Sequence, residues 1–196
     1  MAPKRKHTKQ SILDGSFDFV REKGFENISA RSVAKYINAS TAPIYSNFKS
    51  MDDLEELLEE KAVETLKNSL IENVEDDESI LNFPLRYIEF AINDSNLFNQ
   101  ISKSKQSIKV LKGHLKDKVY TRMKEIMSNS DLLKNFDENK LDEIIIKTWL
   151  HSHGIATFLD RSSSKEDNLN YAKSLLEDSL YTTIYAIKNN YPKIGL

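Results

Sequence analysis

The chain has 196 residues, no cysteine and a formal charge of −2, which allows one fair-sized core or two small ones and excludes a disulfide framework, a thiolate metal site and a Cys nucleophile. No stretch approaches the roughly 18 apolar residues of a membrane span, and the basic opening MAPKRKHTKQ runs into no apolar signal core, so a soluble, cytoplasmic protein is expected. Five glycines and four prolines interrupt little and no alternating strand pattern is visible, so the expected fold class is all-α.

In chain order, a first helix is predicted from Thr8 to Lys23. Leu13, Phe17 and Val20 form its stripe, Ile12 and Phe19 flank it, and Gly24 with Phe25 is expected to close it in a Schellman arrangement. Ser29 is the next expected cap, leading into ARSVAKYI with Val33, Ala34 and Ile37 on one side. Asn38, a residue that tolerates left-handed backbone, ends that helix. Ser40 is the expected cap of a third helix, with Ala39 and Ile44 stapled across its start. Pro43 then falls at N3, where a missing N–H costs little. Ser50 is placed to cap a fourth helix, with Asp53 in the capping-box position.

The third helix carries the informative pattern. Ile44 and Phe48, four apart, point inward and leave Thr41, Ala42, Pro43, Tyr45, Ser46 and Asn47 outside. A solvated face ordinarily holds Lys, Glu and Gln. Small apolar groups instead permit close approach and touch thymine methyls, while hydroxyl, phenol and amide groups bond phosphates and base edges. Two short helices across a tight turn, backed by a third, have the architecture of a helix-turn-helix; a purely structural helical hairpin is the plain alternative. Charge is distributed unevenly too. Nine Lys/Arg against four Asp/Glu in the first fifty residues give that end +5 and the remainder −7, the footprint either of a nucleic-acid-binding end or of a solvated basic tail.

From Thr8 to about Leu58, including the segment SILDGSFDFVREKGFENISARSVAKYINASTAPIYSNFKSMDDL, the chain resembles the TetR family of bacterial transcriptional regulators. The Gly-Phe after the first helix and the Ile-Tyr-x-x-Phe-Lys core carry the match. The resemblance implies an N-terminal three-helix helix-turn-helix domain over 1–50, with a basic arm over 1–7, and a helical ligand-binding and dimerisation domain over 51–196. It implies that Arg31 reaches a base or phosphate, that Thr41, Ala42 and Pro43 form the reading tip beside Ser40, and that Tyr45 and Asn47, with Ser46 between them, meet phosphates. Lys49 would add a phosphate contact helped by the positive end of the fourth helix. Asn38 and Ala42 stand where the family commonly has Gly, and Met51 where it often has Lys.

Beyond Ser50 further helices are predicted over about Ser50–Asn73, Ser79–Asn93 with Pro84 early, Leu97–Ser102, Ser107–Met127 with Gly113 inside, Asp137–Leu159 and Lys165–Asn190. The acidic VEDDES marks a break, RSSSKED a loop and Tyr191-Pro192 an end. The last two helices are apolar on more than one side: Ile144, Ile145, Ile146, Trp149, Leu150, Ile155 and Phe158, then Leu175, Leu176, Leu180, Tyr181, Ile184, Tyr185 and Ile187. A second stripe points to a partner helix, and the family's dimers pair their last two long helices. KTWLHSHGIATFL is similar to a W-x-x-x-H-G pattern of one C-terminal subgroup, through Trp149, His153 and Gly154. By the same resemblance a small-molecule effector binds among these helices and shifts the spacing of the reading heads. Tyr87, Phe90, Phe98, Tyr120, Met123 and Trp149 are candidate pocket residues by size and location, with ordinary core as the plain alternative.

No enzyme is expected, and neither a cofactor nor a catalytic or metal site. His151 and His153, two apart on a helix, point about 200° away from each other and cannot share an ion. No glycine-rich phosphate loop, HExxH or nucleophile elbow is present. The expected function is thus a ligand-responsive repressor that binds a palindromic double-stranded DNA operator as a homodimer. A helical scaffold whose helix-turn-helix does not read DNA is the alternative.

Overall fold

A computed structural model describes residues 7–72, 79–103, 118–159 and 162–191. All regular secondary structure among them is helical, as the composition requires: α1 (Lys9–Lys23), α2 (Ala30–Tyr36), α3 (Ala42–Asn47), α4 (Met51–Ile71), α5 (Asn82–Asn93), α6 (Ser95–Lys103), α7 (Lys118–Asn129), α8 (Glu138–Thr157) and α9 (Lys165–Lys188), with a 3₁₀ turn at Phe25–Asn27. The basic arm up to Lys6, most of VEDDES, the start of the Ser107–Met127 segment with Gly113, Arg161 of the RSSSKED loop, and Pro192 lie outside the described residues. No helix among the described residues is long and apolar enough to cross a membrane.

Two compact units form, one from Met1–Leu66 with Asp94–Ser107, the other from Lys67–Asn93 with Ile108–Leu196. The division between these units falls inside α4. Leu54, Leu58, Ala62, Leu66 and Leu70 form one unbroken buried i, i+4 stripe along that helix, so the chain has no local break at its start.

In the first unit α1 packs against α2, α3 and α6. Thr8 caps α1 reciprocally with Ser11: the Ser11 N–H donates to Thr8 Oγ1 at 3.1 Å and the Thr8 N–H to Ser11 Oγ at 2.9 Å. The buried face is centred on Ile12, Ser16, Phe19 and Val20, with Phe17, while Leu13 is only half-buried. Ser16 sits there at 0% exposure because its hydroxyl donates to the Ile12 carbonyl at 2.7 Å, which satisfies it without water. The expected Schellman closure is replaced by a different one. Gly24 adopts φ 88° and ψ 154°, an extended positive-φ geometry open essentially to glycine alone, while its N–H still reaches the Val20 carbonyl at 2.9 Å.

Ion pairs and polar bonds fix α1 to the other helices of this unit. The Arg21 guanidinium grips the Asp94 carboxylate with both arms, and the Asn96 amide donates to the Arg21 carbonyl at 3.0 Å, satisfying a group at the helix end that has no helical partner. Lys61 of α4 pairs with Asp14 and lies 4.9 Å over the Phe17 ring.

In the second unit α5, α8 and α9 pack on one another and α7 packs on α8. Met127, Leu133, Leu141, Ile144, Ile145, Leu180, Ile184 and Ile187 form one buried cluster there. Asp137 caps α8 through the Lys140 N–H at 3.0 Å and Ser164 caps α9 through the Asp167 N–H at 3.0 Å. Pro84 occupies the first turn of α5, where its missing N–H removes no helical bond.

Candidate nucleic-acid interface

The interface is built on the turn from α2 to α3. Ser29 caps α2 through the Ser32 N–H at 3.1 Å, with Ser32 Oγ accepting in return from the Ser29 N–H at 2.9 Å. Ala30, Val33 and Ala34 are buried beneath it. After α2, Asn38 takes φ 53°, the left-handed conformation its sequence position calls for, and Ala39 N–H closes on the Ala34 carbonyl at 2.8 Å. The chain thereby reverses within a few residues.

The start of α3 corrects the sequence reading. Thr41, not Ser40, is its N-cap, without a side-chain capping bond, and Pro43 is its second residue. The absence of that capping bond follows from the donors on offer. Pro43 has no N–H at N2, and the Ile44 N–H already bonds the Thr41 carbonyl at 3.1 Å, so a capping hydroxyl has nothing to accept. Ser40 and Thr41 are both exposed at this tip.

Ile44 and Phe48 anchor the helix at 1% and 3% exposure. Opposite them Thr41, Ala42, Tyr45 and Ser46 are exposed, Tyr45 at 61%, while Pro43 and Asn47 are half-buried. The expected division holds for the inner pair and for Thr41, Ala42, Tyr45 and Ser46, and not fully for Pro43 and Asn47. Ser46 Oγ donates to the Pro43 carbonyl at 3.0 Å and Asn47 Nδ2 donates to the same oxygen at 2.7 Å, so both groups lie along their own helix. Arg31, second residue of α2, and Lys49, directly after Phe48, are exposed.

One expected aid to Lys49 is weakened. The first turn of α4 carries Asp52 and Asp53; the Asp53 N–H donates to Ser50 Oγ at 3.1 Å and the Asp53 carboxylate accepts the Lys49 N–H at 3.0 Å. These acids offset the positive pole on which an incoming phosphate would draw. Sequence reasoning also passed over Lys9, whose Nζ lies 5.3 Å from the centroid of the Phe48 ring. A contact across 39 positions leaves no local signal. Among the described residues no group of His, Cys, Asp and Glu is disposed to hold a metal ion.

No family model matches the chain, and no curated protein does.

In the second unit the candidate pocket residues fall into separate settings. Tyr87 is buried and its phenol meets His153 Nδ1 at 2.8 Å. Trp149 stacks on the His153 ring with centroids 5.3 Å apart and planes at 20°, and Tyr87 meets Trp149 edge-on at 6.5 Å. Burial pushes the Tyr87 phenol up and the His153 imidazole down, so both groups are held toward their neutral forms and share one hydrogen bond between the phenol and Nδ1. Phe90 is buried in α5. Tyr120 donates to Asp142, and both it and Met123 lie against the Met127–Leu141 cluster. Phe98 belongs to α6, in the first unit, whereas the other five lie in the second.

The two apolar stripes of α8 and α9 separate in the same way. Ile144, Ile145, Leu176, Leu180, Ile184 and Ile187 are core, whereas Ile146, Leu150, Phe158, Leu175, Tyr181 and Tyr185 are exposed. Trp149 and Ile155 are half-buried. Lys147, His151, Leu175, Asp178 and Thr182 share one open groove on the exposed side. A Cβ added at Gly154 would meet nothing within 4 Å, so no packing within the chain requires that glycine.

Proposed function

We propose that this chain is a TetR-type DNA-binding regulator: a cytoplasmic repressor that grips a palindromic operator as a homodimer and releases it when a small-molecule effector occupies the helical second unit. The observation that carries the reading is the face of α3 opposite Ile44 and Phe48, an exposed, uncharged surface of Thr41, Ala42, Tyr45 and Ser46 at the end of a tight turn. Solvent alone favours charged, flexible side chains on such a face. Smooth small groups beside a phenol suit the floor and wall of a major groove.

A six-residue helix is roughly 9 Å long and covers few base pairs, so one copy gains little affinity or specificity. Two copies on successive major-groove turns multiply both. The exposed apolar residues of α8 and α9, Leu150 and Leu175 among them, favour those helices as the dimer contact, since a second copy would cover a surface that water solvates poorly. Tyr87, Trp149 and His153 form the aromatic cluster beside which an effector is proposed to act.

Fluorescence anisotropy with duplexes selected from a random pool tests the reading. Salt-sensitive, sequence-selective binding with a palindromic consensus is expected; absence of both points to a helical scaffold instead.

A further inference from the structure

We propose that Lys9 is a DNA-phosphate contact, a cation held in place by the Phe48 ring; the inference rests on the DNA-binding reading above and adds to it a residue from outside the turn and reading helix. Lys9 lies in the first turn of α1, and its ammonium stands 5.3 Å from the centroid of a ring that is itself 3% exposed. The ring belongs to the residue that ends α3, between Asn47 and Lys49. A lysine on open surface samples many rotamers and loses that freedom on binding. The attraction of the ring face for a cation narrows the choice beforehand.

Among the described residues the Lys9 ammonium has no counter-ion. No described carboxylate pairs with it, the first turn of α1 contains no acid, and Asp14, the next acid along that helix, is taken by Lys61. The lysine is thus exposed, oriented and unpaired. Its position suits a phosphate. With the Thr41–Pro43 tip on the groove floor, a group at the other end of α3 is displaced by about one helix length, roughly 9 Å. The major groove is about 12 Å wide, so that displacement carries Phe48, and the ammonium above it, to the phosphate wall.

The test compares wild type, Lys9→Gln and Lys9→Arg by anisotropy on a random-sequence duplex and on a selected duplex, across a salt series, with helical circular dichroism melts as the folding control. A phosphate contact predicts that Lys9→Gln lowers the slope of log K against log salt by about 0.9 per subunit, so that the variant loses roughly 3.5-fold less affinity per subunit than wild type between about 50 and 200 mM salt. The weakening should be the same factor on both duplexes, Lys9→Arg should restore the slope, and the melts should coincide. If wild type binds but Lys9→Gln keeps its slope, or loses affinity only through a lowered melt, the role of Lys9 is overturned while DNA binding stands. Wild type that binds neither duplex overturns both.

Discussion

Ile37 occupies the space that a side chain on Gly15 would need: a Cβ built there would stand 2.5 Å from Ile37 Cγ2. The glycine in the middle of α1 therefore admits the residue that ends α2, and so sets how closely the turn carrying α3 approaches its supporting helix. Gly15→Ala gains about 1 kcal/mol of helix propensity but forces an overpacked contact costing about 1–3 kcal/mol. The expected net effect is destabilisation of roughly 1 kcal/mol, with DNA affinity reduced as the turn shifts. Thermal melts of Gly15→Ala, Ile37→Ala and the double variant check it; if the two losses simply add, the residues are not coupled through this contact.

On the reading face, Tyr45 and Thr41 should behave differently. Tyr45→Phe removes the hydroxyl proposed to meet a phosphate, and is expected to weaken binding to selected and random duplexes by the same factor. Thr41→Val keeps the shape at the tip but removes its hydroxyl, and is expected to change the preferred sequence. Parallel selections with wild type and each variant distinguish the two, and an unaltered consensus for Thr41→Val would remove it from base readout.

Acid should loosen the second unit through His153. Burial holds its imidazole below the ordinary histidine value of about 6.5, so as pH falls through that value the unfolded chain takes up a proton before the folded one does. Stability from this group is therefore complete above about pH 6.5 and declines toward the lower, folded pKa. His153→Gln keeps an acceptor for the Tyr87 phenol but cannot titrate. Its melting temperature is expected to fall less than that of wild type between about pH 7 and 5, and identical falls would show that other groups govern the acid side.

Leu175 tests the proposed dimer. It is exposed and lines the open groove beside Lys147, His151 and Asp178, so Leu175→Glu should leave the monomer's fold intact. A carboxylate buried at a contact between copies is costly when unpaired, and sedimentation velocity is expected to show a shift toward monomer. A dimer of unchanged strength would place the contact elsewhere.

Features governed by neighbours along the chain were legible before any coordinates. The caps at Thr8, Ser29 and Ser50, the left-handed Asn38, and the inward pair Ile44 and Phe48 depend on bonds or periodicity within about one helical turn, and local backbone chemistry leaves them few alternatives. Where local rules competed, the reading slipped by one residue. Ser40 and Thr41 are both good cap residues one position apart, and the helix begins after Thr41, whose side chain makes no capping bond. Likewise Gly24 could serve several closures, and the chain takes the extended positive-φ one.

Contacts between distant positions were decided by the tertiary structure alone. Ser16 is buried by packing although it is polar. Ile37 lies against Gly15, Lys9 lies over Phe48, and Phe98 falls in the first unit and not with the other five aromatic and Met candidates. Sequence determined the helices, most of their caps and the uncharged character of the exposed α3 face, because those follow from bonds over a few residues. Which faces meet, and which cation or aromatic lies beside which partner, was settled only by the packing of helices far apart in the chain, since close packing admits few arrangements and no local rule records which one is filled.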